Sequence, residues 1–291
     1  MIHTSRQLKD LVRNLARSSG IEAHVLIRRY MMERLLERIS LSSYKDSFIL
    51  KGGMLVSSLV GVDTRATMDI DATVKGLPVT ASDMEHILTE IITIPIDDGV
   101  QFQIKGISDI MEEMEYGGVR ISMQALLDNS VTPLKLDIST GDVITPREIR
   151  YPYKLRFEER RIPLMVYPLE TVLAEKLETI LSRSILNSRM RDYYDVQVLQ
   201  EAFSKEIDHS TLAKALIATA DKRGSTDQLR DTEAVLRAIE DSPELRELWI
   251  GYQQKNTYAK PYTWERIIRS VRQLCRAAGL RVDKPAEAER V

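Results

Sequence analysis

Residues 51–76, KGGMLVSSLVGVDTRATMDIDATVKG, set two glycines ahead of a short apolar segment and then two aspartates one residue apart among apolar neighbours. In MDIDAT, Met68, Ile70 and Ala72 alternate with Asp69, Asp71 and Thr73. As a strand, this stretch sends the apolar side chains into a core and both carboxylates to the other face. Two carboxylates on one face repel and resist desolvation unless something positive sits between them. Ahead of them, Gly52 and Gly53 precede Met54, Leu55, Leu59 and Val60 at helical spacing, which predicts a strand-to-helix turn. The first N–H groups of that helix lack intrahelical partners, and glycine lets a phosphate approach them closely.

Working outward, LKLDIST repeats the alternation: Leu134, Leu136 and Ile138 point one way, Lys135, Asp137 and Ser139 the other. If these strands are neighbours, Asp69, Asp71 and Asp137 converge. Three anions in a partly dehydrated site need a cation. Oxygen ligands without His or Cys select Mg²⁺ or Mn²⁺, bound together with substrate phosphates, which makes a nucleotide the natural third party. His3, His24, His86 and His209 show no metal-ligand spacing, and the lone Cys275 excludes a disulfide framework or zinc cluster. The plain alternative is a solvent-facing pair of aspartates on an edge strand. A glycine turn, a helix and then D-x-D on the next strand argue against it.

Further along, PLETVLAEKLETILSR, residues 168–183, predicts a helix in which Lys176 falls within the apolar sector of Leu169, Val172, Leu173 and Ile180. A lysine there needs an anion, either a triphosphate or a buried aspartate. In RDYYDVQVLQEAF, residues 191–203, Asp192 and Asp195 fall on the stripe continued by Val196, Leu199 and Phe203. Asp192 fits a helix cap, and either aspartate fits a pairing with Lys176 or Arg191. Which of the two is functional stays open.

The coarse organisation is α+β. Two N-terminal helices, parted at Ser18-Ser19-Gly20, lead into short apolar runs at 48–50, 68–74, 100–107, 119–127 and 134–139 that predict strands. Helices interleave after Gly53 and over 80–92, and beyond Pro168 helical periods take over. The expected domains are 1–165, N-terminal helices plus sheet, and 166–291, helical. The 291 residues, 43% hydrophobic and 29% charged, suffice for two modest cores. No apolar run of membrane-spanning length and no signal-peptide pattern occurs, so the expected location is cytoplasmic, with no membrane partner.

A formal net charge of −2 speaks against indiscriminate nucleic-acid binding, yet residues 1–38 carry eight Lys or Arg against four acids. Arg6, Lys9, Arg13 and Arg17 stack on one helical face, opposite Leu8, Leu11, Val12 and Leu15. Arg269, Arg272 and Arg276 stack likewise, downstream of Tyr252, Lys255, Tyr258, Lys260, Tyr262 and Trp264. Each patch alone is an ordinary solvated helix face. Together they form a candidate track for a polyanion.

Residues 51–73, 134–142 and 168–196 resemble the AbiEii toxin family of nucleotidyltransferases, the toxin half of type IV toxin–antitoxin systems, to which the MenT toxins also belong. The resemblance is carried by Gly52-Gly53, the R-x-[ST]-x-D-[IL]-D run from Arg65 through Asp71, Asp137-Ile138, the A-E-K-L helix at Ala174 through Leu177, and R-D-x-x-D from Arg191 through Asp195, in that order. It implies a DNA polymerase β-like nucleotidyltransferase core, a divalent metal, and transfer of a nucleoside monophosphate from an NTP. In the MenT branch the acceptor is the 3′ end of tRNA, and an AbiEi-like antitoxin is the implied partner. Glycine at position 53 replaces the serine of many relatives, and Thr67 and Ser57 are the candidate hydroxyls to replace the missing one.

On this reading Asp69 and Asp71 hold the metal that bridges the triphosphate, and Asp137 binds a second metal or accepts the proton of the attacking hydroxyl. Gly52, Gly53, Thr67 and Lys176 face the phosphates. Arg65 either pairs with a phosphate or braces the D-x-D strand. Two rivals remain: transfer to a protein hydroxyl or small molecule, and a non-catalytic nucleotide- or RNA-binding regulator. The second would lack a carboxylate, and none is missing.

Overall fold

The computed structural model describes residues 2–61, 65, 67–110 and 117–283, so positions 62–64 and 66 of the opening stretch lie outside the described residues. Two compact units are formed, Met1–Asp142 with Arg147–Tyr167, and Val143–Pro146 with Pro168–Val291.

The first unit begins with α1 (Ser5–Ser19), capped reciprocally by Thr4 and Gln7 and stopped by Gly20 at φ +70°. Leu8 and Val12 are buried, but Leu11, expected on the same apolar face, is 46% exposed. Helix α2 (Ala23–Leu41) is buried around most of its circumference, charges included. Arg29 pairs with Glu33 at 2.8 Å, Arg38 with Asp98 at 2.8 Å, and Arg34 with Glu37 at 2.8 Å. Buried charges persist only when matched in this way.

The sheet comprises β1 (Phe48–Lys51), β2 (Ile70–Val74), β3 (Val100–Asp109), β4 (Gly118–Leu127), β5 (Ser130–Thr140), β6 (Ile149–Lys154) and β7 (Arg161–Val166), in the order β3-β4-β5-β2-β1-β7-β6. Helices α3 (Gly52–Val60) and α4 (Ala81–Ile92) follow β1 and β2. β2 pairs antiparallel with β1 and parallel with β5. Its strand begins at Ile70 rather than at Met68, so Asp69 stands just before the strand and Asp71 within it.

Strands β6 and β7 were not expected. Each carries a proline, which argues against a strand in a sequence, and in the register Pro152 faces Pro163. The two missing donors fall at one rung, while the β6 edge gives the pair a tolerable place.

The second unit contains α5 (Leu169–Arg183), α6 (Met190–Phe203), α7 (His209–Lys222), α8 (Thr232–Asp241), α9 (Pro243–Lys255) and α10 (Trp264–Ala277). The tyrosines of the aromatic run that the sequence placed beside a polyanion track are half-buried and pack around the buried Tyr194 and Trp249. Tyr194 meets the rings of Tyr252, Tyr258 and Tyr262 at 6.1, 5.0 and 5.8 Å, and Trp249 stacks on Tyr252 at 5.5 Å. On the expected C-terminal basic face Arg269 is exposed, while Arg272 and Arg276 are engaged within the unit. Arg272 is only 12% exposed and pairs with Glu233 at 2.9 Å and Glu240 at 2.8 Å, and Arg276 donates to the Asp283 carbonyl at 2.6 Å.

Candidate active site

The register of four strands draws one line of charge across the sheet. Asp71 on β2 stands opposite Asp137 on β5. Lys51 on β1 stands opposite Asp71, and Arg120 on β4 opposite Asp137. Residues facing each other in register share a face, so the line reads Arg120, Asp137, Asp71, Lys51. Arg120 grips Asp137 as a fork, Nε to Oδ1 at 2.8 Å and Nη2 to Oδ2 at 2.8 Å. The positive partners that the aspartates demanded are therefore partly in the chain itself. Neither Arg120 nor Lys51 was picked out from the sequence. Arg120 sits in VRISMQALL, with nothing in its own strand to mark it, and only the register exposes it.

Asp71 remains under electrostatic pressure. Its carboxyl is raised above the usual carboxylate range, first by burial and then by the charges of Asp137 and Asp69, against the opposing pull of Lys51 and the Gly53 N–H. The glycine turn closes directly on it. Gly52 has φ +64°, and a Cβ there would overlap the Asp71 carboxylate, 2.7 Å from its Cγ. Both the backbone conformation and the space require glycine. At Gly53 a Cβ would overlap the Thr67 hydroxyl and come within 3.2 Å of Arg65 Nη2. Thr67 thus fills the space a side chain at position 53 would occupy. Arg65, 3% exposed, is buried against the turn. Ser57 is not available to a ligand, being fully buried with Arg29 Nη1 donating to its hydroxyl.

Among the described residues, no three His, Cys, Asp or Glu side chains cluster closely enough to hold a metal ion by themselves. Asp137 is engaged by Arg120, which leaves Asp69 and Asp71 as the oxygen donors beside the glycine turn. Two carboxylates completed by substrate phosphates are a usual Mg²⁺ set, and the excess negative charge on Asp71 is what a cation relieves. The residues fit one Mg²⁺ or Mn²⁺ shared with a triphosphate.

Beyond the carboxylates, Asp142 forms a knot that sequence reading missed. Its Oδ2 accepts from Lys51 Nζ, from the Thr73 hydroxyl, from Ser139 Oγ at 2.7 Å and from the Tyr167 hydroxyl at 2.8 Å. Thr73 and Ser139 are the next register pair along β2 and β5 on the face of Asp71 and Asp137. Burial alone would raise the Asp142 carboxyl, but the Lys51 charge and the hydrogen bonds from Lys51, Thr73 and Ser139 outweigh it and hold it far below the usual range.

In the second unit, Lys176 on α5 lies between the two candidate aspartates of α6, 3.1 Å from Asp192 Oδ1 and 2.7 Å from Asp195 Oδ2. Asp195 is fully buried, and Lys176 is 11% exposed. Asp192 does not cap the helix: Arg189 is the N-cap, and Asp192 stands in the first turn. The anion that Lys176 required is thus supplied twice within the chain.

A model of the nucleotidyl transferase AbiEii toxin family, type IV toxin–antitoxin system, matches residues 34–271. The chain belongs to the AbiEii nucleotidyltransferase toxin family. The match runs from within α2 into α10, so the charge row, the glycine turn and the Lys176 cluster all fall within the family's extent. AbiEii members are nucleotidyltransferases, and that is the enzyme class of this chain. Among solved structures, a protein from H. pylori named as a candidate nucleotidyltransferase is 14% identical, covers 89% of this chain and 95% of its own, and superposes with a TM-score of 0.52. JHP933 from Helicobacter pylori is likewise 14% identical, with 89% and 92% covered and a TM-score of 0.52. At that identity these two neighbours show the fold alone, which is the nucleotidyltransferase-like α+β fold. No curated protein matches the chain. Among the described residues, no helix is long and apolar enough to cross a membrane.

Proposed function

We propose that the chain transfers a nucleoside monophosphate from an NTP to the 3′ end of tRNA and that this transfer arrests growth. The observation that carries the reading is the pairing of Asp71 with Asp137 on adjacent strands, with the Gly52-Gly53 turn closed on Asp71. Asp69 and Asp71 would hold Mg²⁺ or Mn²⁺ there, which supplies charge neutralisation on the triphosphate and on the departing pyrophosphate. The α3 N-terminus and Thr67 line the phosphate side. The acceptor hydroxyl attacks the α-phosphorus in line, the bond to pyrophosphate breaks, and Asp137 takes the hydroxyl proton. A carboxylate offers about four lone-pair directions, of which the Arg120 fork uses two, so acceptor capacity remains. Within the second unit, Lys176 with Asp192 and Asp195 is the candidate phosphate-binding cluster.

The acceptor assignment rests on α1. Arg6, Lys9, Arg13 and Arg17 are all exposed there, whereas Arg272 at the centre of the C-terminal set is paired with Glu233 and Glu240. An AbiEi-like antitoxin is the partner that family membership implies, and a cytoplasmic location follows from an RNA target.

Purified protein incubated with each labelled NTP, total tRNA and total cell protein tests donor and acceptor together. Label in tRNA that disappears with Asp69→Asn or Asp71→Asn is the expected outcome, with growth arrest lost in the same variants. Label in protein alone would transfer the assignment to a protein hydroxyl. Arrest that persists in the Asp69→Asn, Asp71→Asn double variant would separate toxicity from nucleotidyl transfer.

A further inference from the structure

Four donors on one oxygen are more than an ordinary lysine–aspartate staple needs. Asp142 Oδ2 collects Lys51 Nζ, the Thr73 and Ser139 hydroxyls and the Tyr167 hydroxyl, and the Thr73 and Ser139 oxygens lie 2.8 Å apart around it. Thr73 in turn meets the Tyr167 hydroxyl at 2.9 Å. The carboxylate is thus fixed by three strands and by the residue that follows β7. What it fixes in its turn is the Lys51 ammonium, which lies 5.6 Å from the Tyr167 ring centroid and is 14% exposed. Lys51 is the last residue of β1 and the N-cap of α3, so its backbone opens the Gly52-Gly53 turn while its side chain stands in line with Asp71.

We propose that Lys51 is a triphosphate-binding residue and Asp142 the positioning residue that holds its ammonium beside the Asp71–Asp137 pair. This rests on the nucleotidyl-transfer reading and adds a second source of positive charge to it, one that belongs to the chain and is present before any nucleotide arrives. An ammonium carries three donors, and phosphate oxygens accept from such groups. A phosphate chain led along the glycine turn toward Asp71 passes next to it. A lysine left to roam would lose rotamer freedom on binding, and the knot removes that freedom in advance. Arg120 serves the other end of the row differently, since its fork is committed to Asp137.

The test is calorimetric binding of the four α,β-methylene nucleoside triphosphates and the matching monophosphates in Mg²⁺, on the full chain. Lys51→Met is expected to weaken the preferred triphosphate tenfold or more while changing the monophosphate little. Asp142→Asn is expected to reproduce that loss, and the Lys51→Met, Asp142→Asn double variant to bind no worse than Lys51→Met alone. Lys51→Arg, which keeps the charge, is expected to recover part of the affinity. The double variant removes both charges of the pair, so it remains measurable if either single variant folds poorly. Triphosphate affinity within twofold of wild type in Lys51→Met, or in the double variant, would overturn the proposal while leaving nucleotidyl transfer standing. Equal losses for triphosphate and monophosphate would also overturn it, marking Lys51 as structural. Wild-type protein that binds none of the four analogues would overturn the nucleotidyl-transfer reading and this inference with it.

Discussion

At the residue scale, Asp71 and Lys176 call for opposite tests, because one side chain has too few counter-charges and the other has two. Asp71→Asn removes a charge that Asp137 and Asp69 oppose, so turnover is expected to fall to background while the melting temperature holds or rises. Turnover assays and thermal denaturation on one preparation check both. Lys176→Ala leaves Asp192 and the fully buried Asp195 without their shared cation. A loss on the order of 3–5 kcal/mol of stability is expected for an orphaned buried charge, read as a large drop in melting temperature. Unchanged melting with lost NTP binding would instead assign the ammonium to the phosphates. Cys275 gives a third measurement. Burial pushes its thiol up to about 12, against the lowering influence of Arg272 and Arg276. The raised value means that the thiol's contribution to stability is complete below about 8.5, the unfolded value, and erodes as pH climbs toward the folded one. At pH 8 the native protein is therefore expected to resist a maleimide that labels the unfolded chain stoichiometrically, as mass spectrometry would show.

At the level of elements, α1 and α10 look alike in sequence, each with arginines at three- and four-residue steps, yet they meet different surroundings. The α1 cations are exposed, whereas Arg272 is locked by acids of α8. Reversing Arg6 and Arg13 to glutamate is expected to weaken RNA modification and flatten its salt dependence without moving the melting temperature. Reversing Arg272 sets a third acid against Glu233 and Glu240, and the expected result is a lower melting temperature. Helical periodicity tells which residues share a face; it does not tell what the face meets. The same limit explains what else the sequence concealed. The alternation in MDIDAT and LKLDIST made the inward and outward faces of β2 and β5 legible, and the glycine pair marked the turn. β6 and β7 stayed hidden because Pro152 and Pro163 each read as a breaker until the register put them opposite one another. Lys51, Arg120 and Asp142 stayed hidden because their meaning comes from cross-strand neighbours far away in the chain.

For the molecule as a whole, the parallel pairing of β2 with β5 has a kinetic consequence. Lys51 and Asp71 come together within the local segment β1–α3–β2, and Arg120 and Asp137 within the β4–β5 hairpin. In each piece the charge pair in register is one cation against one anion, so Asp71 and Asp137 each already face a counter-charge while the pieces are separate. Only the late, long-range closure of β2 onto β5 sets carboxylate against carboxylate, and non-local closures of this kind are intrinsically slow. Asp71→Asn or Asp137→Asn is accordingly expected to speed refolding, as stopped-flow fluorescence would detect; a rate unchanged in both variants would show that the strands join before the charges meet. On that order of events a partly folded chain contains two separate charge pairs and no site, and the paired carboxylates come into being at the one step that joins β2 to β5.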